Sequence, residues 1–387
     1  MDKRKGFNND TLKRRNRGLL LNLILTERDM TRSELARRTG LSKMSVTNII
    51  NEFTEQGIVE ERCSLSVKGQ GRNPIALCLA ETAPKLVGLH IFRDYCTAVL
   101  CDLRLQVLRE AQIELDAKLA ADLSGTLCDL VAKVLPEDRS SVLGIGISAI
   151  GPIDLKNGVI MNSPDFFGIH DFPAADILRE AFDLPVAMDS QCNCSALAEK
   201  YFGAGRDYSD FVFLGIANGV GSGIVSQNNV LRNANGLTSE VGHISLDWKN
   251  GRPCPCGRRG CMETYAGTRV VERALRQASG REATFREFCD MEPELVPEGP
   301  FEEMIDALSF ALSDTVNVLN PQAVIVGYEG ACLPDRCLKR LEESVNRQRL
   351  VQFGPRVRVL RSAFGDRAQV IGSAGGLLSE VFEGRFI

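Results

Sequence analysis

The sequence predicts a small helical domain with a two-stranded wing, joined to an α/β body of two similar halves. With 387 residues the chain is too long for one ordinary domain and suits two or three. Residues 1–80 hold 15 Lys and Arg against 9 Asp and Glu, a net charge of +6, while the remainder carries −10. A basic amino-terminal domain on an acidic body favours nucleic-acid binding, although a solvated basic helix face would give the same charge.

The amino-terminal elements follow the order helix, short helix, turn, helix. Residues 19–25, Leu-Leu-Leu-Asn-Leu-Ile-Leu, are apolar almost throughout and predict a buried first helix. Thr31 followed by Glu34 has the capping-box pattern, and it opens a short helix that ends at Gly40. A third helix begins at Leu41-Ser42 and closes at Gly57. Its apolar positions predict one buried stripe: Met44, Val46, Ile49, Ile50 and Phe53.

A wing follows the third helix. Ile58-Val59 and residues 75–77 are strand candidates on either side of a Gly-rich tip at 68–74. This order is that of a winged helix-turn-helix, which places the amino-terminal residues of its recognition helix in the major groove. A small helical domain used for dimerisation is the alternative. The candidate contacts to phosphates and base edges are Ser42, Lys43, Ser45, Thr47, Asn48 and, on the wing, Arg72.

After Pro84 short strands alternate with helices. Residues 86–91 and 96–101 predict a hairpin, and residues 142–147 predict a buried strand. A second series of strands begins at 211–216, so the alternation predicts an α/β body of two similar halves. The remaining candidates are a strand at 105–108, helices near 117–135, 195–202 and 301–319, and a strand at 323–326.

Three cysteines and one histidine form the strongest chemical signal. His243, Cys254, Cys256 and Cys261 lie within nineteen residues, and Cys3His is a usual donor set of a closed, structural zinc site. Prolines and glycines between the cysteines bend the loop so that the sulfurs can converge. A catalytic zinc would keep one position open for water, and this set leaves none. Free thiols beside an unrelated histidine are the alternative.

The other cysteines indicate a reducing compartment. Thirteen cysteines, most of them isolated in sequence, argue against a disulfide framework. Cys192 and Cys194 are expected to be small buried apolar residues. No uncharged apolar run approaches the length of about 18 residues that a membrane helix needs, and no signal-peptide h-region follows the basic start. We expect a cytoplasmic protein without a membrane partner.

Several motifs together resemble the ROK family of repressors, open reading frames of unknown function and sugar kinases. The most specific is Glu240-Val-Gly-His243, which continues into the cysteine-containing stretch 251–263. The likeness extends through residues 215–223 and 320–326 to Ile371-Gly-Ser-Ala374, and so covers nearly all of the chain from residue 85 onward. Family members with an amino-terminal winged helix are sugar-controlled regulators, mostly repressors.

The resemblance implies an actin/hexokinase-like (ribonuclease H-like) α/β fold of two lobes, with the sugar in the cleft between them. It divides the chain into three parts. The winged helix-turn-helix domain takes residues 1–82, the first lobe takes 83–190 and 366–387, and the second lobe takes 191–365.

The resemblance also implies five effector contacts. Glu240, His243 and Glu263 carry over by motif as hydrogen-bond partners of sugar hydroxyls, with His243 also holding the structural Zn²⁺. Asp165 stands where many members have a sugar-binding Asn, and Gln191 stands where kinases have an Asp. A helix cap or surface salt bridge is the alternative for the two glutamates. An unusual sugar, an acidic or phosphorylated sugar, and no ligand at all stay open.

The kinase pattern of the family fails at three places. Its phosphate loop, Asp-x-Gly-Gly-Thr, falls on residues 90–94, His-Ile-Phe-Arg-Asp, where both glycines are missing. Its Asn-Asp pair falls on Ser190 and Gln191, and a carboxamide cannot take a proton from a sugar hydroxyl. Asp189 precedes this pair by one residue, so in an extended chain its side chain points to the side opposite that of Ser190. It is therefore a poor substitute for the missing general base. The glycines on the adenosine side are reduced to those of residues 327–330.

These observations predict a sequence-specific DNA-binding transcriptional regulator of repressor type, controlled by a sugar effector and without kinase activity. Its expected partners are a double-stranded DNA operator, a small-molecule sugar or sugar phosphate, and a second copy in a homodimer or a dimer of dimers. The alternatives are an ATP-dependent sugar kinase with a fused DNA-binding head and a ligand-independent DNA-binding regulator.

Overall fold

The computed structural model describes residues 9–63, 75–163, 166–232, 239–350 and 352–387. The chain divides into two compact units. The first comprises residues up to 148, 164–188 and 373–387, and the second comprises 149–163 and 189–372. The predicted boundaries after residues 82, 190 and 365 remain predictions.

The amino-terminal head has the predicted three helices and two strands. Thr31 caps α2 by accepting from the amide of Glu34, and Gly40 ends this helix at a φ of 72°. The hydroxyl of Ser42 caps α3 by accepting from the amide of Ser45. The strands pair antiparallel, with Val59 opposite Leu79. The elements are α1 (Asn9–Thr26), α2 (Arg32–Thr39), α3 (Lys43–Glu55), β1 (Val59–Cys63) and β2 (Ile75–Leu79).

One member of the predicted buried stripe is placed wrongly. Met44 is 74% exposed, whereas Val46 and Phe53 are fully buried. The physical reason is helical geometry, because at 100° per residue Met44 lies about 180° from both Val46 and Phe53. The exposed face of α3 therefore begins with an apolar side chain.

The first unit also contains a five-stranded sheet of order β5-β4-β3-β6-β9. The predicted hairpin is present, with Leu86 of β3 opposite Cys101 of β4. The elements of this stretch, including the small β7–β8 pair of the second unit, are β3 (Lys85–Ile91), β4 (Tyr95–Cys101), β5 (Val107–Glu114), α4 (Ala117–Ala121), α5 (Leu123–Val134), β6 (Val142–Ala149), β7 (Ile153–Asp154), β8 (Val159–Ile160), α6 (Ala174–Phe182) and β9 (Val186–Ser190).

The second unit is built on a sheet of order β12-β11-β10-β13-β14. Its central strands β10 and β13 run parallel with Phe211 opposite Ala323. Both strands are buried along their whole length, which explains their continuous apolar sequences. The elements are α7 (Gln191–Phe202), β10 (Phe211–Ile216), β11 (Val220–Ser226), β12 (Asn229–Val230), α8 (Glu263–Ala266), α9 (Thr268–Ser279), α10 (Phe285–Asp290), α11 (Glu298–Leu319), β13 (Ala323–Tyr328), α12 (Asp335–Gln348) and β14 (Arg358–Arg361).

The last helix, α13 (Ala368–Phe382), ends against the head within the first unit. A Cβ atom placed on Gly18 of α1 would come within 2.1 Å of the carbonyl oxygen of Phe382. One placed on Gly384 would come within 2.3 Å of the carbonyl oxygen of Arg14. Two glycines therefore let the backbone of α1 and that of the chain's last residues touch directly.

Across the described ranges, none of the helices combines the length and the hydropathy that crossing a membrane requires.

Candidate functional site

Four predicted metal ligands converge in the second unit. His243 ends a 3-10 turn at Val241–His243, and the three cysteines follow in one loop. The donor atoms of His243, Cys254, Cys256 and Cys261 all lie within 4.8 Å of one another. These residues form a cluster that could hold a metal ion.

The spacing of the donor atoms fits a tetrahedral zinc site. The Sγ atoms of Cys256 and Cys261 are 3.7 Å apart, and Cys254 Sγ is 3.7 Å from His243 Nδ1. Zn–S bonds of about 2.3 Å and Zn–N bonds of about 2.1 Å in a tetrahedron require donor separations of about 3.6 to 3.8 Å. Two of the separations match this geometry and the whole set lies within 4.8 Å, so the donor set suits zinc.

Backbone hydrogen bonds hold the cysteine loop in this shape. The amide of Gly257 donates to the carbonyl of Cys254 at 3.0 Å, and the amide of Cys254 donates to the carbonyl of Arg258 at 2.9 Å. Gly260 has a φ of 72°, and a Cβ there would come within 2.3 Å of the carbonyl oxygen of Asp247. Only glycine fits this position, because both the backbone angle and the space exclude a side chain.

The cysteine loop is also fastened to neighbouring helices. The guanidinium of Arg252 lies 4.3 Å from the ring centre of Tyr265 and donates to the carboxylate of Glu303 at 2.6 Å. Tyr265 belongs to α8 and Glu303 to α11. Arg252 thus connects the loop to two helices of the second unit.

Glu263 lies beside the metal cluster. Its Oε1 is 3.4 Å from His243 Nδ1 and accepts from the thiol of Cys254 at 3.0 Å. The structure therefore brings two predicted effector residues, His243 and Glu263, into contact. Glu240 lies just before the same 3-10 turn and is exposed.

Strand β11 supports both the metal cluster and the start of α7. A Cβ on Gly242 would come within 1.9 Å of the carbonyl oxygen of Val220, and one on Gly223 within 2.3 Å of the carbonyl oxygen of Cys192. The turn that carries His243 and the helix that begins at Gln191 therefore pack on the same strand. Cys192 and Cys194 are buried, as expected.

The first turn of α7 contains a buried polar network. The Asn193 side chain donates to Asp189 Oδ1 at 2.9 Å, and Arg232 Nε donates to Asp189 Oδ2 at 2.8 Å. Asp189 is 4% exposed and forms an ion pair with Arg232. Its carboxylate is thus committed to the network rather than available as a proton acceptor.

Two oxygens at this helix start have no hydrogen-bond partner within the described parts of the chain. They are Oε1 of Gln191 and Oδ1 of Asn193, and both atoms are buried. Buried acceptors in folded proteins are almost always satisfied by protein, water or ligand, so these two oxygens mark a place where a hydrogen-bond donor could bind. Asn193 and Arg232 were not predicted as site residues. Asn193 could have been predicted, because it matches the Asn that the kinase motif retains. No sequence motif pointed to Arg232.

The residues at the phosphate-loop positions form a packed aromatic group in the first unit. His90 is fully buried, and its Nδ1 lies 3.1 Å from Ser148 Oγ. Its ring centre lies 5.9 Å from that of Phe92 and 5.6 Å from that of Tyr95. Burial lowers the pKa of His90 to about 4, so the imidazole is neutral at pH 7. Phe92 and Arg93 stand at the two positions aligned with the glycines of the family's phosphate-loop motif.

Tyr328 fills the corresponding position on the adenosine side, in the second unit. It ends β13 at a φ of 59°, a value that glycine adopts freely and that strains a tyrosine. Its hydroxyl lies 3.1 Å from Ser195 Oγ and 3.6 Å from Cys192 Sγ. A Cβ on Gly215 would come within 2.2 Å of the Tyr328 ring. The buried ring therefore packs directly on β10.

The predicted DNA contacts differ in their solvent exposure and in the hydrogen bonds that they already make. Lys43 and Asn48 are exposed, and Thr47 is half-buried. The hydroxyls of Ser42 and Ser45 lie 2.9 Å apart, and Ser42 also caps α3. Two further predicted residues, Arg72 of the wing and Asp165 of the effector set, lie outside the described residues.

Two family models match the chain. The model described as the ROK family matches residues 86–378, and one described as winged helix-turn-helix DNA-binding matches residues 13–60. The second match covers α1 from residue 13 onward, α2, α3 and the start of β1. The first covers most of the α/β body.

Similar proteins include both regulators and a kinase. The xylose repressor of Caldicellulosiruptor bescii is 27% identical and is matched over 97% of this chain and 98% of its own length. The transcriptional dual regulator NagC of Escherichia coli is 25% identical over 94% and 92% of the two chains. A glucokinase of Halalkalibacterium halodurans is 30% identical, but it matches 62% of this chain and 77% of its own length.

Among solved structures, a ROK family transcriptional regulator described as a homologue of the Escherichia coli MLC protein aligns with a TM-score of 0.80. The alignment covers 97% of this chain and 98% of that one, at 22% identity. A likeness of this degree confirms the predicted actin/hexokinase-like fold with its helical head.

Fold and site thus define a chain that joins a winged helix-turn-helix to a sugar-kinase-like α/β body. The chain belongs to the ROK family. With the DNA-binding domain at its amino terminus, it is a DNA-binding repressor of the sugar-responsive type.

Proposed function

We propose that this repressor senses its effector at the start of α7 and the neighbouring metal cluster, without phosphorylating it. The orphaned oxygens of Gln191 and Asn193 carry this proposal, because two buried acceptors without donors match the hydroxyl groups of a polyol. Glu263 and His243, packed on the same strand as this helix start, add further hydrogen-bonding groups. Glu240 and Asp165 complete the proposed effector set.

The effector is proposed to be a sugar or a sugar derivative. A carboxamide at Gln191 in place of a carboxylate removes one negative charge, whereas the charge of Arg232 is balanced by Asp189. The change at Gln191 favours an acidic or phosphorylated sugar over its neutral parent, since it removes like-charge repulsion. Calorimetry with matched pairs of sugars and sugar phosphates tests this preference. Tighter binding of the neutral sugar in every pair would contradict it.

The metal is proposed to be a structural Zn²⁺ held by His243, Cys254, Cys256 and Cys261. When bound, the ion supplies a fixed tetrahedral crosslink and sets which nitrogen of the imidazole carries the proton. With Nδ1 facing the sulfurs, Nε2 of His243 is left to hydrogen-bond with the effector. The cluster therefore links effector contacts to the loop that Arg252 fastens to α8 and α11.

Loss of kinase activity is supported at three separate positions. Gln191 cannot act as a general base, and Asp189 is held by Arg232 and Asn193. The aromatic group around His90 and the buried ring of Tyr328 occupy the positions that serve ATP in the kinases of the family. A coupled assay for ADP release in the presence of hexoses, pentoses and amino sugars is expected to stay at background.

The repressor is proposed to act as a homodimer, or a dimer of dimers, on a palindromic operator in the cytoplasm. Two-fold symmetry would place two α3 helices in successive major grooves about one helical turn apart. The protein would adopt two conformations that differ in their affinity for DNA. The effector would change DNA binding only to the extent that it binds one of these conformations more tightly than the other.

A sugar screen with a DNA readout tests the proposal as a whole. The probe is a duplex that the full-length zinc-loaded protein selects from a random-sequence library, titrated in gel shifts with and without each sugar. One sugar class is expected to change the DNA affinity, and Gln191→Ala is expected to abolish that change while leaving the affinity of the sugar-free protein intact. An unchanged response in Gln191→Ala would place the effector elsewhere.

A further inference from the structure

The exposed face of α3 carries a stripe that shares only Asn48 with the predicted DNA contacts. Met44, Asn48 and Asn51 are spaced i, i+4 and i+7, which puts them within about 60° of one another around the helix. All three are exposed, and Met44 is 74% exposed. The opposite face is the buried stripe of Val46, Ile49, Ile50 and Phe53.

The polar groups of this stripe are available for an outside partner. No hydrogen bond or ion pair of the Asn48 or Asn51 side chain is found in the described part of the chain. Ser42 and Ser45, by contrast, bond to each other and to the helix start. The two serines thus have less hydrogen-bonding capacity left for a base edge than the two asparagines.

The chemistry of the stripe matches one kind of base pair. A carboxamide can accept from the N6 amino group of adenine and donate to its N7, which is the bidentate pattern of adenine in the major groove. An apolar side chain contacts the C5-methyl group of thymine, and the flexible thioether of methionine adapts well to such a surface. Neither group type complements the paired acceptors of guanine as an arginine would.

We propose that Met44, Asn48 and Asn51 form a reading stripe that recognises A·T base pairs in the major groove, with Met44 against a thymine methyl group. This inference rests on the proposed DNA-binding function of α3 and adds its base preference. From Met44 to Asn51 the helix rises about 10 Å, which corresponds to about three base pairs along the duplex. Lys43 beside the stripe is expected to contact a phosphate.

The length of the stripe has a natural limit. Glu55 continues the same face one turn beyond Asn51, and it is exposed. A carboxylate repels the phosphate backbone, so the reading stripe ends before it. The predicted footprint of one head is therefore a short A·T-rich core rather than an extended site.

The test uses the full-length zinc-loaded protein and the duplex that it selects from a random-sequence library. The selected half-site is expected to contain about three A·T pairs at the centre of the α3 footprint. Replacing single thymines there by deoxyuridine removes only the methyl group and is expected to weaken binding about fourfold at one position. Replacing one adenine by 7-deazaadenine is expected to weaken binding roughly 5- to 100-fold.

Protein variants then assign these effects to residues. Met44→Ala is expected to abolish discrimination between thymine and deoxyuridine, and Met44→Leu is expected to retain it. Asn48→Ala and Asn51→Ala are expected to lose their sensitivity to 7-deazaadenine. Leu12→Ala, which removes another exposed apolar side chain of the head, is the matched control and is expected to change neither.

Each outcome bears on a different statement. If no duplex is enriched, the proposed DNA binding fails and the reading stripe with it. If DNA is bound but the core is G·C-rich, or Met44→Ala still discriminates thymine from deoxyuridine, only the reading stripe fails. A change in the sedimentation of Met44→Ala without a change in discrimination would assign the stripe to contact between copies, and would also overturn it.

Discussion

Gly18→Ala in α1 is expected to destabilise the protein, although alanine is a better helix former than glycine. The Cβ of an alanine would come within 2.1 Å of the carbonyl oxygen of Phe382, 2.6 Å of its carbonyl carbon and 2.8 Å of the amide nitrogen of Gly384. All three are backbone atoms, so no side-chain rotation can relieve the overlap. Either α1 or the end of α13 must move.

The sign of the effect follows from two opposing terms. Alanine in place of glycine inside a helix gains about 1 kcal/mol of helix propensity. Overpacking a tight contact costs about 1–3 kcal/mol, and a contact between two backbones lies at the upper end because neither side is flexible. The expected net loss of unfolding free energy is therefore about 1–2 kcal/mol.

A second helical glycine gives the matched control. Gly299 lies in the first turn of α11, and a Cβ there would meet nothing within 4 Å. Gly299→Ala therefore meets no distant atom, and its one steric cost is the crowding that Pro300 imposes on a helical residue before it. Hydrogen exchange at Gly384 is therefore expected to respond to Gly18→Ala and not to Gly299→Ala.

Thermal unfolding of the full-length variants measures both changes. Gly18→Ala is expected to lower the midpoint and to increase hydrogen exchange at the amide of Gly384, while Gly299→Ala is expected to leave that exchange unchanged. A midpoint for Gly18→Ala at or above that of the parent protein would refute the direct contact between α1 and the end of the chain.

Three further predictions concern single side chains. Cys256→Ser is expected to lower the zinc content of the purified protein, measured by mass spectrometry of the metal, whereas Cys332→Ser outside the cluster is expected to retain it. Burial lowers the pKa of His90 from about 6.5 in the unfolded chain to about 4, so stability is full above pH 6.5 and falls by about 3 kcal/mol toward pH 4. His90→Phe is expected to flatten that part of the pH profile of thermal unfolding, and an unchanged profile would contradict it. Arg232→Gln leaves the buried carboxylate of Asp189 without its cation and is expected to cost roughly 3 kcal/mol, since Arg232 is partly exposed; Asp189→Asn in the same chain should recover part of the loss in chemical denaturation.

The parts of the fold that could be predicted from sequence depend on nearby residues. The cap of α2 at Thr31 and its end at Gly40 are set by backbone groups within one helical turn. The metal cluster was predictable for the same reason, because its three cysteines lie in one short loop and the histidine precedes them closely. Strands β10 and β13 were recognisable from their unbroken apolar sequences, whereas their parallel pairing was not predicted.

What sequence reasoning missed depends on contacts between distant segments. Arg232 pairs with Asp189 across 43 positions, and no local pattern announces that pair. Gly18 faces the other end of the chain, so its requirement for glycine is invisible within α1. Met44 is a different case: its spacing from Val46 already excluded a shared face, and the error came from treating every apolar residue of α3 as buried.

The residues that depart from the kinase pattern have two effects. One removes the general base, and the others place side chains where the motif has glycine. Phe92 and Arg93 stand at the two glycine positions of the phosphate-loop motif, beside the neutral, buried imidazole of His90. A strained tyrosine takes a place suited to glycine at the end of β13. Gln191→Asp would restore only the general base, because a carboxylate at that position cannot displace either group of rings. This variant is therefore expected to show no ADP release above background with any sugar that alters DNA affinity. Turnover by Gln191→Asp alone would mean that ATP binds without the glycine loop, and the rings could then not be what prevents phosphoryl transfer.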